Sequence, residues 1–243
     1  MKTFFKLLLL FSVFAYLVFA VVRYSTAANP NVCKSVSIEV VDSLHSNLVT
    51  VEGVEKKLKD AHLYPLDKPM EAIEPIAICH ALEKDSFIRN VLCVETPGDH
   101  VRIVVDQRKP LLRVLADNGD DYFIDDKGTV MASANYTVDL PVVTGNVSQP
   151  YAKAQLREMG EYLRTNTFWH EQVEQIHILP NLEADLVMRV GEQVVHFGKV
   201  EDIETKFSKL YAFYTKVMPE VGWKKYSEIN VAFDKQVIAT KRK

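Results

Sequence analysis

The chain has 243 residues, 48% of them hydrophobic and 25% charged, and a formal net charge of −3. Such fractions fit a globular protein with one large domain or two modest ones, and the charge excludes a global field that draws the chain to nucleic acid. Basic residues are scattered, and the one cluster, Lys241-Arg242-Lys243, reads as a solvated terminus.

Leu7 to Val22 reads LLLLFSVFAYLVFAVV, apolar except at Ser12 and Tyr16, and Phe4 and Phe5 extend it upstream. The extended run approaches the roughly 20 residues that cross a bilayer core. Lys2 and Lys6 supply the positive flank that keeps an N-terminus in the cytoplasm. Two readings are open. A signal peptide would be cleaved at Ser25-Thr26-Ala27, and an uncleaved anchor would place Arg23 and Tyr24 at the outer interface. The length of the run favours the anchor, and either way the chain from about Ala27 onward lies outside. Cys33 follows Asn-Val, which is no lipobox.

The segment Ala27-Ala28-Asn29-Pro30-Asn31 is small, polar and proline-broken, a linker. Val36, Ile38 and Val40 then alternate with polar residues as in a half-buried strand. Thr50 caps a helix with Val51, Val54 and Leu58 on one face. A second helix runs from about Ile73 to Lys84, with Pro75 in its first turn. Strands at Ile88 to Val94 and Val101 to Asp106 join through Pro97-Gly98-Asp99. The order is strand, helix, helix, strand, strand.

After Gln107-Arg108-Lys109-Pro110 the texture changes. Short strands at Leu111 to Leu115, Tyr122 to Ile124 and Thr129 to Met131 are separated by the turns Asp117-Asn118-Gly119 and Asp125-Asp126-Lys127-Gly128. A helix from about Tyr151 to Arg164 turns Ala152, Leu156, Met159 and Leu163 inward, and strands follow near Val173 to Leu179, Ala184 to Val190 and Gln193 to Phe197. Ile203, Phe207, Leu210, Tyr214 and Val217 form the core stripe of another helix. A strand from Tyr226 to Phe233, a tight turn at Asp234-Lys235 and a last strand to about Thr240 close the chain. One strand of that hairpin is expected at a sheet edge, with Ile229, Val231 and Phe233 on its core face.

Catalytic signatures are missing: no GxSxG, HExxH, GxxxxGK[ST] or GxGxxG occurs. His196-Phe197-Gly198-Lys199 lacks the first glycine and the hydroxyl of a phosphate loop. His170-Glu171 and Cys79-His80 have no further ligand at a metal-like interval, and Asp120-Asp121 and Asp125-Asp126 read as solvated turn residues. Asn135-Tyr136-Thr137 and Asn146-Val147-Ser148 match sequons that matter only in a eukaryotic secretory pathway. The three cysteines, Cys33, Cys79 and Cys93, show no CxxC. Cys79 shares a helix face with Ile78 and Leu82, and Cys93 a strand face with Val91. A Cys79–Cys93 disulfide and two buried thiols are both open.

The order of elements after the apolar run resembles a POTRA domain, and five blocks resemble one family throughout. Phe87-Ile88-Arg89-Asn90-Val91 with Val101-x-Ile103-x-Val105-x-Gln107-Arg108-x-Pro110 is similar to the end of the POTRA domain of the bacterial cell-division protein FtsQ, called DivIB in Gram-positive bacteria. Tyr122-Phe123-Ile124-Asp125-x-x-Gly128-x-Val130-Met131 and Leu140-Pro141-Val142-Val143-Thr144-Gly145 resemble its next two blocks. Trp223-x-x-Tyr226-x-x-Ile229-Asn230-Val231-x-Phe233-x-x-Gln236-Val237 resembles its C-terminal strand pair.

The resemblance implies an α+β chain with a cytoplasmic stub at 1–3, a retained transmembrane helix at 4–22 and a linker at 23–32. A POTRA domain at 33–107 and an FtsQ-type mixed β domain at 108–243, with an extended antiparallel sheet and flanking helices, would follow. It implies a non-enzymatic, single-pass inner-membrane protein of the septum, with no cofactor, nucleic acid or small-molecule substrate. The expected partners are FtsB- and FtsL-like coiled-coil proteins and FtsK-like divisome proteins, with an influence on septal peptidoglycan synthesis. A partner strand would add at Tyr226, Asn230, Ala232, Phe233, Asp234, Lys235, Gln236, Val237 and Ile238, and Gln107, Arg108 and Pro110 would form the interdomain junction. Asn230 stands where many relatives carry Asp, and Ala232 where many carry Arg. The alternative is a POTRA-type binding module of outer-membrane assembly or secretion, which normally comes with several POTRA units or a β-barrel.

Overall fold

The computed structural model describes residues 2–25, 31–41, 48–133 and 139–243. Thr26-Ala27 of the expected cleavage site, most of the linker and the sequon at Asn135 lie outside the described residues. Helix α1 runs Lys2–Ser25, and large apolar side chains from Leu10 to Val22 are exposed on it. Among the described residues, no helix is long and apolar enough to cross a membrane. The chain forms two compact units, the first with α1 and residues up to Asp106, the second from Gln107 onward together with Leu48.

The first unit contains β1 (Ser35–Val41), α2 (Val51–Asp60), α3 (Pro75–Glu83), β2 (Ile88–Thr96) and β3 (His100–Gln107). Its sheet order is β1-β3-β2, with β1 parallel to β3. Local chemistry sets the elements. Thr50 is extended, and its hydroxyl accepts from the Gly53 N–H at 3.0 Å, which satisfies an orphan donor of α2. Pro75 occupies the first turn of α3, where its missing N–H costs nothing. Val54, Leu58, Ile78 and Leu82 are buried, as are Val101, Ile103 and Val105, whose alternation puts one face of β3 in the core.

Cys33, Cys79 and Cys93 are free thiols. The Cys79 Sγ lies 3.5 Å from the Val91 carbonyl, which brings α3 and β2 together at these cysteines. Burial, and then the neighbouring Cys79, pushes the Cys93 thiol from its ordinary 9.0 up to about 11. A folded pKa above the unfolded one gives stability that is full below about pH 9 and lost as pH rises towards about 11. Alkylation at pH 8 is therefore expected to label the partly exposed Cys79 before Cys93, with the difference vanishing in denaturant. Equal labelling of the folded chain would contradict this.

The second unit is built on one nine-stranded sheet. Its elements are β4 (Pro110–Ala116), β5 (Asp121–Asp125), β6 (Val130–Ala132), β7 (Val142–Gly145), α4 (Gln149–Tyr151), a π turn (Ala152–Leu156), α5 (Arg157–Thr165) and α6 (Thr167–Gln172). They continue with β8 (Val173–Ile178), β9 (Glu183–Met188), β10 (Val194–Lys199), α7 (Ile203–Lys216), α8 (Met218–Val221), β11 (Tyr226–Asn230) and β12 (Ile238–Lys241). The strand order is β12-β11-β10-β9-β8-β7-β4-β5-β6. The sheet is mixed rather than antiparallel throughout: β4–β7, β7–β8 and β10–β11 pair in parallel. Helical crossovers through α4–α6 and through α7–α8 return the chain in the same direction, which a tight hairpin cannot do.

These helices cover one face of the sheet. Ala152, Leu156, Met159, Leu163, Phe207 and Leu210 pack on Leu112, Val114, Val143, Ile176, Leu186 and Val195. Phe207 is the aromatic centre, with ring centroids of Tyr162, Trp169 and Phe197 at 5.1, 4.8 and 5.1 Å. Trp169 sits on α6, which has no counterpart among the sequence expectations. Its signal is Asn166, whose side chain accepts from the Trp169 N–H at 3.3 Å as an N-cap.

Asp125 is fully buried, not solvated. Its carboxylate accepts from the N–H groups of Lys127 and Thr129 at 2.9 and 2.6 Å and from the Arg108 guanidinium at 3.1 Å. The turn thus encloses a compensated charge rather than exposing one. Arg108→Ala leaves that charge without its cation and is expected to cost about 2–3 kcal/mol in urea unfolding of this unit. An unchanged midpoint would show that the two backbone donors suffice.

Candidate partner-binding edge

β12 is one edge of the nine-stranded sheet, and the three-residue β6 is the other. An edge strand carries backbone N–H and C=O groups that its own sheet leaves unpaired. β12 runs antiparallel to β11, with Tyr226 opposite Lys241, Glu228 opposite Thr240, Ile229 opposite Ala239 and Asn230 opposite Ile238. Ile229 is fully buried, so Ala239 shares the helix-covered side while Ile238 and Thr240 share the other with Asn230 and Glu228.

The hairpin turns at Asp234-Lys235, but this turn sits inside a longer connection. β11 ends at Asn230 and β12 begins at Ile238, leaving residues 231–237 as a longer connection. Its first half is pinned from three directions. The Val231 N–H donates to the His196 carbonyl at 3.0 Å, and the Ala232 N–H donates to the Asn230 side chain at 2.9 Å. From α7, the Lys209 ammonium donates to the carbonyls of Val231 (3.0 Å), Phe233 and Asp234 (3.3 Å). Gly198 adds a steric condition: at φ +74° it bulges β10, and a Cβ there would lie 2.7 Å from that of Ala232. Residues 235–237 instead form one wall of a groove of about 320 Å³ against α7, lined by Ala212, Phe213, Val217 and Val237 with Lys209, Lys216 and Lys235 around it.

On the other side of the sheet a polar row crosses five strands in register: Thr144, His177, Asp185, His196 and Asn230. His177 lies 3.0 Å from the Thr144 hydroxyl, and His196 Nδ1 lies 2.7 Å from Asp185, with Glu228 at 3.9 Å from its Nε2. Among the described residues, no group of three or more His, Cys, Asp and Glu is placed to hold a metal ion.

Residues 109–240, more than half of the chain, match the family described as FtsQ/DivIB, C-terminal related. The chain belongs to the FtsQ/DivIB family. Residues 31–106 match a POTRA-like domain. No curated protein matches the chain. A POTRA-like domain followed by an FtsQ/DivIB C-terminal region is the domain pair of a cell-division scaffold.

The residues expected at the FtsQ/DivIB partner site fall into three settings. Tyr226 and Asn230 open and close β11, with Tyr226 packed against Phe213 of α7 at 5.7 Å. Ala232, Phe233 and Asp234 lie in the pinned half of the connection, and Phe233 is 47% exposed rather than continuing the core face of Ile229 and Val231. Lys235, Gln236 and Val237 line the groove, and Ile238 opens β12. At the expected junction, Gln107 ends β3, Arg108 holds Asp125 and Pro110 begins β4.

Lys209 and Gly198 escape sequence reasoning. Lys209 looks like one more polar residue on the exposed flank of an amphipathic helix, and its carbonyl acceptors lie more than twenty residues away. Lys209→Met leaves those acceptors without their cation and is expected to cost about 1–2 kcal/mol. Amide exchange should quicken across residues 231–241 and stay unchanged in β8 and β9. Equal exchange in mutant and wild type would show that the clasp does not hold the connection.

Proposed function

We propose that the chain is a non-enzymatic divisome scaffold, held in the inner membrane by residues 4–22, that recruits FtsB- and FtsL-like coiled-coil partners through β12. The observation that carries this is the position of β12 at the edge of the FtsQ/DivIB sheet. A partner strand adds there by backbone pairing, with no loss of existing contacts. The apolar run of the sequence and the exposed side chains of α1 from Leu10 to Val22 support the anchor. A cytoplasmic stub at 1–3 and a linker at 23–32 complete that arrangement. The POTRA-like domain contributes recruitment to midcell, with FtsK-like proteins among its contacts, and the assembled complex acts on septal peptidoglycan synthesis.

Two residues bear on the partner contact. Ala232, where many relatives carry Arg, brings no charge, and Asn230 uses its side chain to turn the connection. Affinity then rests on the backbone of β12 and on the side chains around it.

Depletion in the native bacterium is expected to give filaments, and a fluorescent fusion to mark midcell rings; uniform envelope signal with normal division would overturn the proposal. Val237 precedes the strand, so a proline test belongs at Ala239 and Thr240 in turn. Alternate N–H groups of an edge strand point in opposite directions. One proline therefore disturbs the β11 ladder, and the other removes a donor that faces the partner. The variant that stays folded is expected to lose the FtsB-like partner, and retention of binding by both would exclude augmentation at β12.

A further inference from the structure

We propose that the base of the terminal hairpin is a second contact for the same partner, a basic-aromatic cluster that takes a carboxylate-rich segment running off the end of the strand added to β12. This rests on the β12 reading above and specifies the chemistry of the partner.

Charge is strongly segregated along this chain. Residues 206–243 hold nine Lys and Arg against three Asp and Glu, a net of +6, so the remaining residues carry −9 to give the total of −3. Folding concentrates part of that excess at one place. Tyr226 pairs in register with Lys241, and the Arg242 N–H donates to the Lys225 carbonyl at 2.9 Å. Lys224 and Lys225, which precede β11, are thereby set beside Lys241 and Arg242, which end β12. The counter-charge is Glu192, which pairs with Arg242. Its carboxyl is held below its usual range first by the Arg242 hydrogen bond and, in smaller measure, by Lys224. Among the described residues, no carboxylate lies within ion-pair distance of Lys224, Lys225 or Lys241.

Unneutralised like charges repel one another in the folded state and favour an anionic ligand. Two aromatic rings stand among them. Trp223 is 37% exposed and edge-on to Tyr214 at 5.2 Å, and Lys225 lies 6.0 Å over the Tyr226 ring. Trp and Tyr are enriched at interfaces, and here an exposed Trp223 and a half-buried Tyr226 stand among lysines that give the surface its sign. Position selects the occupant. Lys241 is the last residue of β12, so a strand that pairs from Ile238 to Lys241 leaves the sheet directly past the cluster.

The test uses the full chain in detergent micelles and, as probe, the periplasmic region of the native FtsB-like partner. Wild type is expected to bind about tenfold more weakly at about 300 mM than at about 50 mM salt. K224E/K225E should unfold at the wild-type temperature, bind about tenfold or more weakly at low salt and lose most of the salt dependence. K241E gives the same direction from the other strand. Wild-type affinity and salt dependence in both variants would overturn the cluster as a partner contact while leaving β12 intact. It would equally fall if the variants lost binding only to phosphatidylglycerol vesicles, since the cluster would then be a lipid contact. Failure of wild type itself to bind the probe would remove the β12 reading and this one together.

Discussion

The terminal hairpin is joined to the rest of its sheet by a parallel ladder of three residue pairs, from Val194–Glu228 to His196–Asn230. Everything that β12 presents depends on how that short seam is reinforced. A few backbone hydrogen bonds contribute about 1 kcal/mol each, too little to fix a two-stranded ribbon that is marginal in water. Burial adds more: Ile229 and Val231 are fully enclosed, worth about 1.5–3 kcal/mol each. α7 provides that enclosure, since Phe207 and Leu210 belong to the same core. The placing of the edge strand therefore depends on the helix that packs against its neighbour.

Lys209 extends the coupling from packing to the backbone. An ammonium has three hydrogens and no acceptor, and here it meets three carbonyls of the connection. The carbonyls would otherwise look to water, and the chain between β11 and β12 would sample many paths. Under the reading proposed above, fixing that path in the free protein would lower the ordering cost of pairing with a partner strand and improve affinity without a new contact. His196 works from the opposite side of the same seam: its carbonyl receives the Val231 N–H while its ring meets Asp185 and faces Glu228. One residue thus ties β9, β10 and β11 together where the ladder is shortest.

What the sequence makes legible follows from what periodicity encodes. The four-and-three spacing of Ile203, Phe207, Leu210, Tyr214 and Val217 marks α7, and the alternation Val101, Ile103, Val105 marks β3. Thr50 and Pro75 announce helix starts by local chemistry alone. Periodicity says which face is buried but not which strand lies alongside or in what direction, so the parallel pairings at β7 and β11 are invisible to it. The turn at Asp234-Lys235 falls where its composition puts it, but the length of the connection around it is hidden for a related reason. The connection is shaped earlier by Asn230 and by Lys209 and Gly198, both distant in sequence. Asp125 is misplaced because its cation, Arg108, comes from seventeen residues upstream. Lys241-Arg242-Lys243 reads as a loose tail until β-pairing sets it beside Lys224 and Lys225.

Backbone pairing at an edge explains attachment but not discrimination, because every non-proline strand offers the same N–H and C=O groups. Selectivity has to come from side chains that meet alternate residues of the incoming strand and from the charge at its two ends. On the helix-covered side an incoming strand passes Ala239 and the groove beside Phe213 and Val217, which favours apolar side chains. On the other side it passes Ile238 and Thr240, at the margin of the polar row. At the pinned end, Ala232 contributes no charge. At the base, Lys224, Lys225 and Lys241 have no carboxylate within ion-pair distance among the described residues. Under the reading proposed above, a strand with the right hydrophobic alternation but basic flanks would pair with the same backbone and still be disfavoured, since the repulsion falls at the place where it must leave the sheet.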